Sequence, residues 1–442
     1  MRHGKKIGLA LSGGGYRAAI YHIGTLRKLN SMGILKDVDV ISSISGGSIT
    51  NAFYGLHAND FEEFEKLFQK ALSKNILLLV LKAHPFRIAL LPIILLILIY
   101  ISFYITGIYL FLILISLSLL MFFFQFKIFD ISKFVSEIYD EVFFQNKTIK
   151  DLKCNHNVLI NATNMETGRL FSFSSTKMGD SKYANEKNIH FKNHKDYKLS
   201  KAVMASSAYP LLFNPIGIHK TDFKNWDKAD TVLPALIDGG VYDNQGTSKL
   251  FEEKSSYKCD IVIASDGGKI LEEFSKMPTN SIQLLVRTIF LMGTRIDRLF
   301  DSMNLYGKRK SIKFTPIKHS LYWDVHRVIP EFVNAVKEGV ISTELLRYHN
   351  ISDSDILQLN DANISTKKRL ELINRIEEHI NYKKVLSAQA PCLDLEVARQ
   401  TRTSLLPINE KIRSTLIKHA EIMTELTVKV YAPYLLKENQ TP

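Results

Sequence analysis

Ser45 is the residue whose setting most clearly suggests covalent chemistry. It lies in the stretch Ser43-Ile44-Ser45-Gly46-Gly47, close to the G-x-S-x-G pattern that places a nucleophile on a sharp strand-to-helix turn. Gly47 supplies the small residue after the serine, and Ser43 stands where the pattern has its first glycine. The hydroxyl would then lie at a helix N-terminus, where the dipole stabilises developing negative charge. The alternative is that Ser45 only caps this helix.

A run of three glycines, Gly13, Gly14 and Gly15, lies upstream of this serine. Successive glycines allow the backbone to present N–H donors to an oxyanion, and Gly46 can add another donor from the serine turn. Arg17 follows the run closely and would either add positive charge or brace the loop. The two turns together predict a site that attacks an acyl carbon.

The glycine run has a second interpretation. Gly13-x-Gly15-x-x-Ala18 after a strand also fits the dinucleotide-binding fingerprint. That fold requires an acidic residue at the end of its second strand. Here Asp37 and Asp39 stand at the beginning of that strand, and its end carries only serines among its polar residues. The acyl-transfer interpretation is therefore favoured over nucleotide binding.

A serine nucleophile needs a base, and two aspartates have the required setting. Asp238 follows an apolar strand and precedes Gly239 and Gly240, and Asp266 also stands between an apolar strand and two glycines. A partly desolvated carboxylate can accept a serine proton directly. No histidine occupies a comparable turn, and His22 lies inside the first helix, where a structural role is expected. A serine-aspartate dyad is predicted, and the residues alone leave both aspartates open.

The elements that must position these residues follow from hydrophobic periodicity. Short apolar runs bounded by turn residues predict strands, at residues 7–11, 38–44, 158–163, 169–174, 233–237 and 259–264. Helical spacing follows the first glycine turn and dominates the chain after residue 280. Strands followed by helices predict an α/β fold.

One segment interrupts this pattern. Residues 88–126 contain no charged residue and no histidine, and the run is about long enough for two membrane crossings of roughly 20 residues each. Gly107 marks a break, so the spans are expected near 88–104 and 108–126. Basic residues on both sides place both ends, and the catalytic domain, on the cytoplasmic face. A buried hairpin in the core or at an oligomer interface is the alternative.

The net charge and the cysteine content indicate which binding partners and cofactors to expect. The formal net charge is +13, which favours an anionic partner. The sequence contains no run of five basic residues, which argues against nucleic acid binding. An anionic membrane surface is therefore the expected partner. Cys154, Cys259 and Cys392 are few and far apart, which predicts neither a disulfide framework nor a metal site. No cofactor and no metal are expected.

Four stretches, taken together, resemble the patatin-like phospholipase family. They are LSGGGYRAAIYHIGTL, SSISGGS, KAVMASSAYPLLFNPI and LIDGGVYDN, in the order found in that family. The resemblance implies that Ser45 is the nucleophile, that the neighbours of Asp238 make this residue the base, and that Gly13 to Gly15 form the oxyanion loop. Ser43 departs from the family pattern, which usually has glycine there.

The resemblance also implies a three-layer α/β/α fold and no metal. A catalytic domain is expected over residues 6–250, interrupted by the hydrophobic insert at 76–128, with the end of the sheet at 251–280 and a helical region at 281–436. The implied activity is hydrolysis of carboxylic esters in membrane lipids. Acyl transfer to an alcohol with the same dyad, or an inactive membrane scaffold, are the alternatives. The C-terminal helices could form a lid, a surface for a homo-oligomer or a partner site.

Overall fold

The strands of the chain form one mixed sheet. In this computed structural model the described residues are 4–84, 94, 97–98, 100–101, 107–192, 194–224, 226–269, 271, 277–302 and 317–436. The strands are β1 (Ile7–Leu11), β2 (Val40–Ile44), β3 (Asn157–Asn164), β4 (Arg169–Phe173), β5 (Met178–Gly179), β6 (Ile216–Gly217), β7 (Ala235–Asp238), β8 (Ile261–Asp266) and β9 (Ile317–Ser320). Their order is β5-β4-β3-β2-β1-β8-β9, and β7 pairs with both β3 and β6. The α/β fold and the strands expected from periodicity are confirmed.

The helices surround this sheet or extend beyond it. In the first half of the chain they are α1 (Gly15–Ser31), α2 (Gly46–His57), α3 (Phe61–Leu72), α4 (Ile76–Ala83), α5 (Ile108–Ile128), α6 (Ile131–Tyr139), α7 (Ser181–Asn185), α8 (Leu199–Ser207), α9 (Gly240–Asp243) and α10 (Ser248–Phe251). In the second half they are α11 (Ser281–Phe300), α12 (Val328–Lys337), α13 (Thr343–Tyr348), α14 (Asp353–Asn360), α15 (Ser365–His379), α16 (Tyr382–Leu386), α17 (Cys392–Arg399) and α18 (Glu410–Tyr431).

Alternation along β1 explains why both faces of the sheet are covered. Leu9 and Leu11 point into the large core that α1, α2 and α18 share, whereas Ala10 points into a smaller core on the other face with Leu159 and Leu250. Because successive residues of a strand face opposite sides, a sheet without a polar face must be packed on both sides. This arrangement is consistent with the α/β/α layers of the patatin fold.

The C-terminal part of the chain contributes directly to this domain. Helix α18 lies against α1 so closely that a side chain at Gly24 would collide with the carbonyl oxygen of Ile417. The sheet also continues beyond the end expected at residue 280, because β9 pairs in parallel with β8. Helices α12 to α16 build a second core against the other side of α18, which includes Phe332, Leu372 and Met423.

The transmembrane hairpin predicted over residues 88–126 is not supported. Most of the first predicted span lies outside the described residues. The second corresponds to α5, whose backbone leaves helical geometry at Phe124, with φ −110° and ψ 15°. The regular segment before Phe124 is shorter than the roughly 20 residues that a crossing requires. Across the described ranges, no helix is both long and apolar enough to span a membrane. The prediction of a multi-pass membrane protein is therefore wrong.

Candidate active site

Ser45 stands on a strained turn between β2 and α2. Its backbone has φ 48° and ψ −115°, a left-handed conformation that costs a non-glycine residue of order 1–3 kcal/mol and recurs at functional sites. Gly46 and Gly47 make the turn possible by close approach. A Cβ at Gly46 would collide with the carbonyl oxygen of Gly15, and one at Gly47 with that of Leu11. The Ser45 side chain remains partly exposed.

Strand β3 brings Ser45 and Asp238 together. Strand β2 runs parallel to β3 and ends with Ile44 opposite Asn161. Strand β7 runs antiparallel to β3 and ends with Asp238 opposite Ala162. Since Asn161 and Ala162 are adjacent, the ends of β2 and β7 meet, and the residue after Ile44 lies beside Asp238. Ser45 and Asp238 are far apart in the chain and become neighbours because β2 and β7 both pair with β3.

Asp238 is buried and lies beside the Ser45 hydroxyl. Its Oδ1 accepts a hydrogen bond from the Gly240 amide at 2.7 Å. Burial raises the pKa of Asp238 to about 6, and the Gly240 amide and the Ser45 hydroxyl oppose that rise. Desolvation penalises the charged carboxylate, whereas donors stabilise it. The result is a carboxylate that is ionised at neutral pH and still more basic than an exposed aspartate.

Asp266, the alternative base, faces a different partner. Its Oδ1 accepts a hydrogen bond from the Gly268 amide at 3.0 Å, as Asp238 does from Gly240. Its Oδ2, however, lies 3.5 Å from Nζ of Lys318 on the edge strand β9. In the sheet, β8 is separated from β2 by β1, a lateral distance of roughly 10 Å. Asp266 therefore belongs to an ion-pair cluster at the other side of β1.

The glycine loop contacts the serine turn, but its three amides differ. The Gly13 amide donates to the carbonyl oxygen of Asn244 at 2.9 Å, so this donor is engaged in holding the loop. Among the described residues, the amides of Gly14, Gly15 and Gly46 make no backbone hydrogen bond of this kind. Gly13 therefore differs from its neighbours, because its amide is held by the protein.

Arg17 braces the glycine loop. Its side chain is fully buried, and its guanidinium donates to the carbonyl oxygen of Gly267 and, at 2.7 Å, to that of Thr401. The same C-terminal segment also contacts Tyr16, whose amide donates to the carbonyl oxygen of Ser404 at 3.0 Å. Of the two roles expected for Arg17, these contacts favour bracing. No local pattern predicts these contacts of Thr401 and Ser404, because both residues lie in a polar loop far from the glycine run in the chain.

Ser206 links the backbone of Ser45 to that of Gly239, the residue after Asp238. Its Oγ accepts a hydrogen bond from the Ser45 amide at 2.9 Å and donates to the carbonyl oxygen of Asn161 at 2.6 Å. Its own carbonyl oxygen accepts from the Gly239 amide at 3.2 Å. Ser206 belongs to the stretch KAVMASSAYPLLFNPI, but no pattern within it assigns a role to this hydroxyl.

Ser43 is accommodated by polar contacts. Its Oγ donates to the carbonyl oxygen of Leu159 at 3.1 Å and accepts from Nδ2 of Asn51 at 3.0 Å and from the Ser48 hydroxyl at 3.1 Å. A buried hydroxyl without partners would destabilise the turn, whereas this one is satisfied. The departure from glycine at this position is thus compatible with the turn.

His22 takes no part in this site. Its ring nitrogens lie 2.9 Å from the Ser265 hydroxyl and 3.0 Å from the carbonyl oxygen of Ser12. Burial lowers the pKa of His22 to about 4, because a charged imidazolium is poorly solvated in the core. The ring is a hydrogen-bonded component of the core beneath the glycine loop, as its position in α1 predicted.

Comparison with known proteins agrees with the motifs. The family described as patatin-like phospholipase matches residues 9–250. This match covers more than half of the chain, and the chain therefore belongs to that family. Membership supports a lipid hydrolase function. A search of curated protein sequences finds no significant match.

Solved structures resemble the chain only distantly. Human GIVD cytosolic phospholipase A2 in complex with methyl γ-linolenyl fluorophosphonate is 12% identical with a TM-score of 0.46, and the alignment covers 98% of this chain and 58% of that one. VipD from Legionella pneumophila is 13% identical with a TM-score of 0.31, over 99% of this chain and 92% of that one. The chain thus spans less than two thirds of the length of the human enzyme.

Proposed function

We propose that this protein hydrolyses carboxylic esters of lipids, with Ser45 as nucleophile and Asp238 as base. The juxtaposition of these two side chains, where β2 and β7 end on adjacent residues of β3, is the observation that carries the proposal. The strained backbone of Ser45 supports it, because such strain persists where the surrounding structure holds a reactive side chain in place. Family membership supports the lipid substrate class.

In the first half of the reaction, Asp238 accepts the hydroxyl proton of Ser45 as Oγ attacks the ester carbonyl carbon. Negative charge then develops on the former carbonyl oxygen. The amides of Gly14, Gly15 and Gly46 are the donors proposed to stabilise it, and Gly13 holds the loop through Asn244. Fixed donors of this kind stabilise the transition state without reorganisation of solvent.

In the second half, the tetrahedral intermediate collapses and the C–O bond to the alcohol breaks. Asp238 passes its proton to the leaving alcohol oxygen, which leaves an acyl group on Ser45. A water molecule then attacks the acyl carbon while Asp238 accepts the water proton. Collapse of this second intermediate releases the fatty acid and returns the proton to Ser45 Oγ. One carboxylate thus serves as base and acid in both halves.

Association with lipid membranes is part of the proposal. A lipid ester is presented in an aggregate, and the formal charge of +13 favours anionic surfaces. Transfer of the acyl group to an alcohol instead of water would use the same residues. The two reactions differ only in whether water or an alcohol attacks the acyl-serine. Analysis of the products distinguishes them.

Lipid mass spectrometry tests the proposed function. Mixed phospholipid vesicles are incubated with wild-type protein, with Ser45→Ala and with Ser31→Ala, which removes an exposed serine at the end of α1. Wild type and Ser31→Ala should release fatty acid and lysolipid, and Ser45→Ala should release neither. New acylated alcohols in place of free fatty acid would identify a transacylase. Equal product from Ser45→Ala would reject Ser45 as nucleophile, and no product from wild type would favour a scaffold.

A further inference from the structure

Helix α11 exposes an apolar surface that nothing in the described protein covers. None of its residues is buried. Apolar side chains on it are between 49% and 73% exposed, namely Ile282, Leu284, Leu285, Phe290, Leu291, Met292 and Leu299. Leu284, Leu291, Met292 and Leu299 are separated by helical spacings of seven and eight, which places them on one face. Single exposed apolar residues are ordinary, whereas several on one helix face mark an interaction surface.

This surface lies at the rim of the candidate active site. The Phe290 ring stacks on Tyr209 with centroids 6.2 Å apart, and the Phe300 ring lies 6.3 Å from that of Tyr242. Tyr209 is close enough for Asp238 to raise its pKa, in addition to the effect of burial. Tyr242 belongs to α9, which begins two residues after Asp238. Phe290 and Phe300 therefore hold α11 beside the mouth of the dyad.

The acidic residues at the end of α11 face inward. Both carboxylate oxygens of Asp301, the residue that caps the helix, accept hydrogen bonds from Nζ of Lys318 at 2.9 and 2.8 Å. Oδ1 of Asp301 also accepts from the Gln245 side chain at 3.0 Å. Asp297 is directed toward the same cluster, where desolvation and the neighbouring carboxylates raise its pKa. These contacts anchor the C-terminal end of the helix to β9 and to the loop after α9.

The outward face combines apolar with basic residues. Arg295 and Arg298 are exposed and follow Leu291 at helical spacings of four and seven, which places the three on one face. A helix that presents apolar and cationic side chains together suits the boundary between acyl chains and anionic headgroups. A neutral or cationic protein surface would not match these charges.

The turn after Tyr209 extends the same rim. Leu211 and Leu212 are 59% and 63% exposed, and Leu211 has φ 76°. A leucine in this left-handed conformation, with its side chain in water, gains nothing from the packing of the folded chain. Insertion of the Leu211 side chain into an apolar phase beside the site would offset the cost of this backbone conformation.

We propose that α11 and the turn at Leu211 and Leu212 dock on an anionic lipid surface. This interaction presents the mouth of the site to the esters of that surface. The inference rests on the proposed lipid hydrolysis, because it names the partner that delivers substrate to the same dyad. It differs from a membrane crossing, since α11 would lie along the surface with its anchored side toward the protein.

An environment-sensitive dye tests the docking directly. A dye is attached at residue 291 in a Leu291→Cys, Cys392→Ser protein that also carries Ser45→Ala, so that the vesicles are not consumed. The matched control carries the dye on native Cys392, which is exposed on α17. With vesicles of phosphatidylcholine and phosphatidylserine, the dye at 291 should shift to shorter wavelength and brighten severalfold, and the dye at 392 should not change.

Each other outcome overturns the proposal. No co-flotation with anionic vesicles, or co-flotation without a change at 291, would mean that α11 does not dock. Equal responses with pure phosphatidylcholine would remove the role of the arginines. A response at 291 that rises with protein concentration in the absence of vesicles would mean that a second copy covers this face.

The dyad is tested separately in the absence of lipid. Reaction of Ser45 with a soluble fluorophosphonate needs the dyad and no docking surface. A dye response without Ser45 labelling would reject the proposed function and keep the docking surface, and labelling without a dye response would do the reverse.

Discussion

Asp238 and Asp266 occupy the same local structure and have different surroundings. Each ends a buried strand, precedes two glycines and accepts a hydrogen bond at Oδ1 from the second glycine amide, Gly240 or Gly268. Asp238 then meets the Ser45 hydroxyl, whereas Asp266 meets the ammonium of Lys318. An identical turn yields a candidate base in one place and a member of an ion cluster in the other.

The difference comes from the strands on which the turns end. Strand β7 is antiparallel and short, and it stops against β3 at the point where β2 also stops. Strand β8 is parallel and lies on the far side of β1, next to β9. The chemical role of an Asp-Gly-Gly turn is therefore decided by strand register and sheet order, and the turn itself only exposes the carboxylate.

The largest effect is expected from exchanging the two carboxylates for amides. Asp238→Asn removes the base and should lower kcat for ester hydrolysis by about 10²–10⁴-fold. Asp266→Asn leaves Lys318 paired with Asp301 and should retain most of the activity. Steady-state hydrolysis of a soluble ester by both variants measures the contrast. Equal losses would mean that the two turns share the chemistry.

The second prediction concerns the contribution of Lys318, the partner of Asp266, to the free energy of unfolding. Lys318→Met removes the buried cation that pairs with Asp266 and Asp301, and it leaves these carboxylates close to each other and to Asp297. Loss of one partner from a buried cluster costs about 3 kcal/mol or more. Urea unfolding should show this loss. The control Lys150→Met, at an exposed ion pair with Asp196, should change the unfolding free energy by less than about 1 kcal/mol.

The third and smallest prediction concerns Ser206. Ser206→Ala deprives the Ser45 amide of its acceptor and should destabilise the protein by about 1–2 kcal/mol. Because the turn is no longer fixed, kcat should fall by about tenfold, well below the effect of losing the base. Ser206→Thr, which keeps a hydroxyl, should restore part of the rate. A kcat unchanged in Ser206→Ala would limit Ser206 to packing.

Motifs and periodicity predicted the strands, the glycine loop and the serine turn because these features are local. Hydrophobic runs mark buried strands wherever they pair, and glycine is required where Gly46 approaches Gly15. The choice of Asp238 over Asp266 came from resemblance alone, since no local pattern encodes the register of β7 on β3. Ser206 and Ser404 were missed for the same reason, because their contacts join distant parts of the chain.

The insert shows the opposite failure. Its lack of charge predicts two membrane spans, yet composition does not show where a helix breaks. The backbone at Phe124 interrupts α5, and no described helix meets the requirements of a span. An uncharged run is compatible with several structures, and only geometry distinguishes them.

The most direct test of the Ser45–Asp238 dyad is the pH dependence of Ser45 labelling. The rate of reaction with a fluorophosphonate is followed by intact-protein mass spectrometry between pH 4 and pH 8, in about half-unit steps, for wild type, Asp238→Asn and Asp266→Asn. Burial raises the pKa of Asp238 to about 6, so the carboxylate loses its basic form below this pH. The rate should therefore fall about tenfold per pH unit below 6.

Asp266→Asn should follow the wild-type curve with the same midpoint, because Asp266 does not contact Ser45. Asp238→Asn should label slowly at every pH and show no midpoint near 6. A wild-type midpoint that disappears in Asp266→Asn and persists in Asp238→Asn would contradict the account, because it would assign the base to the other turn.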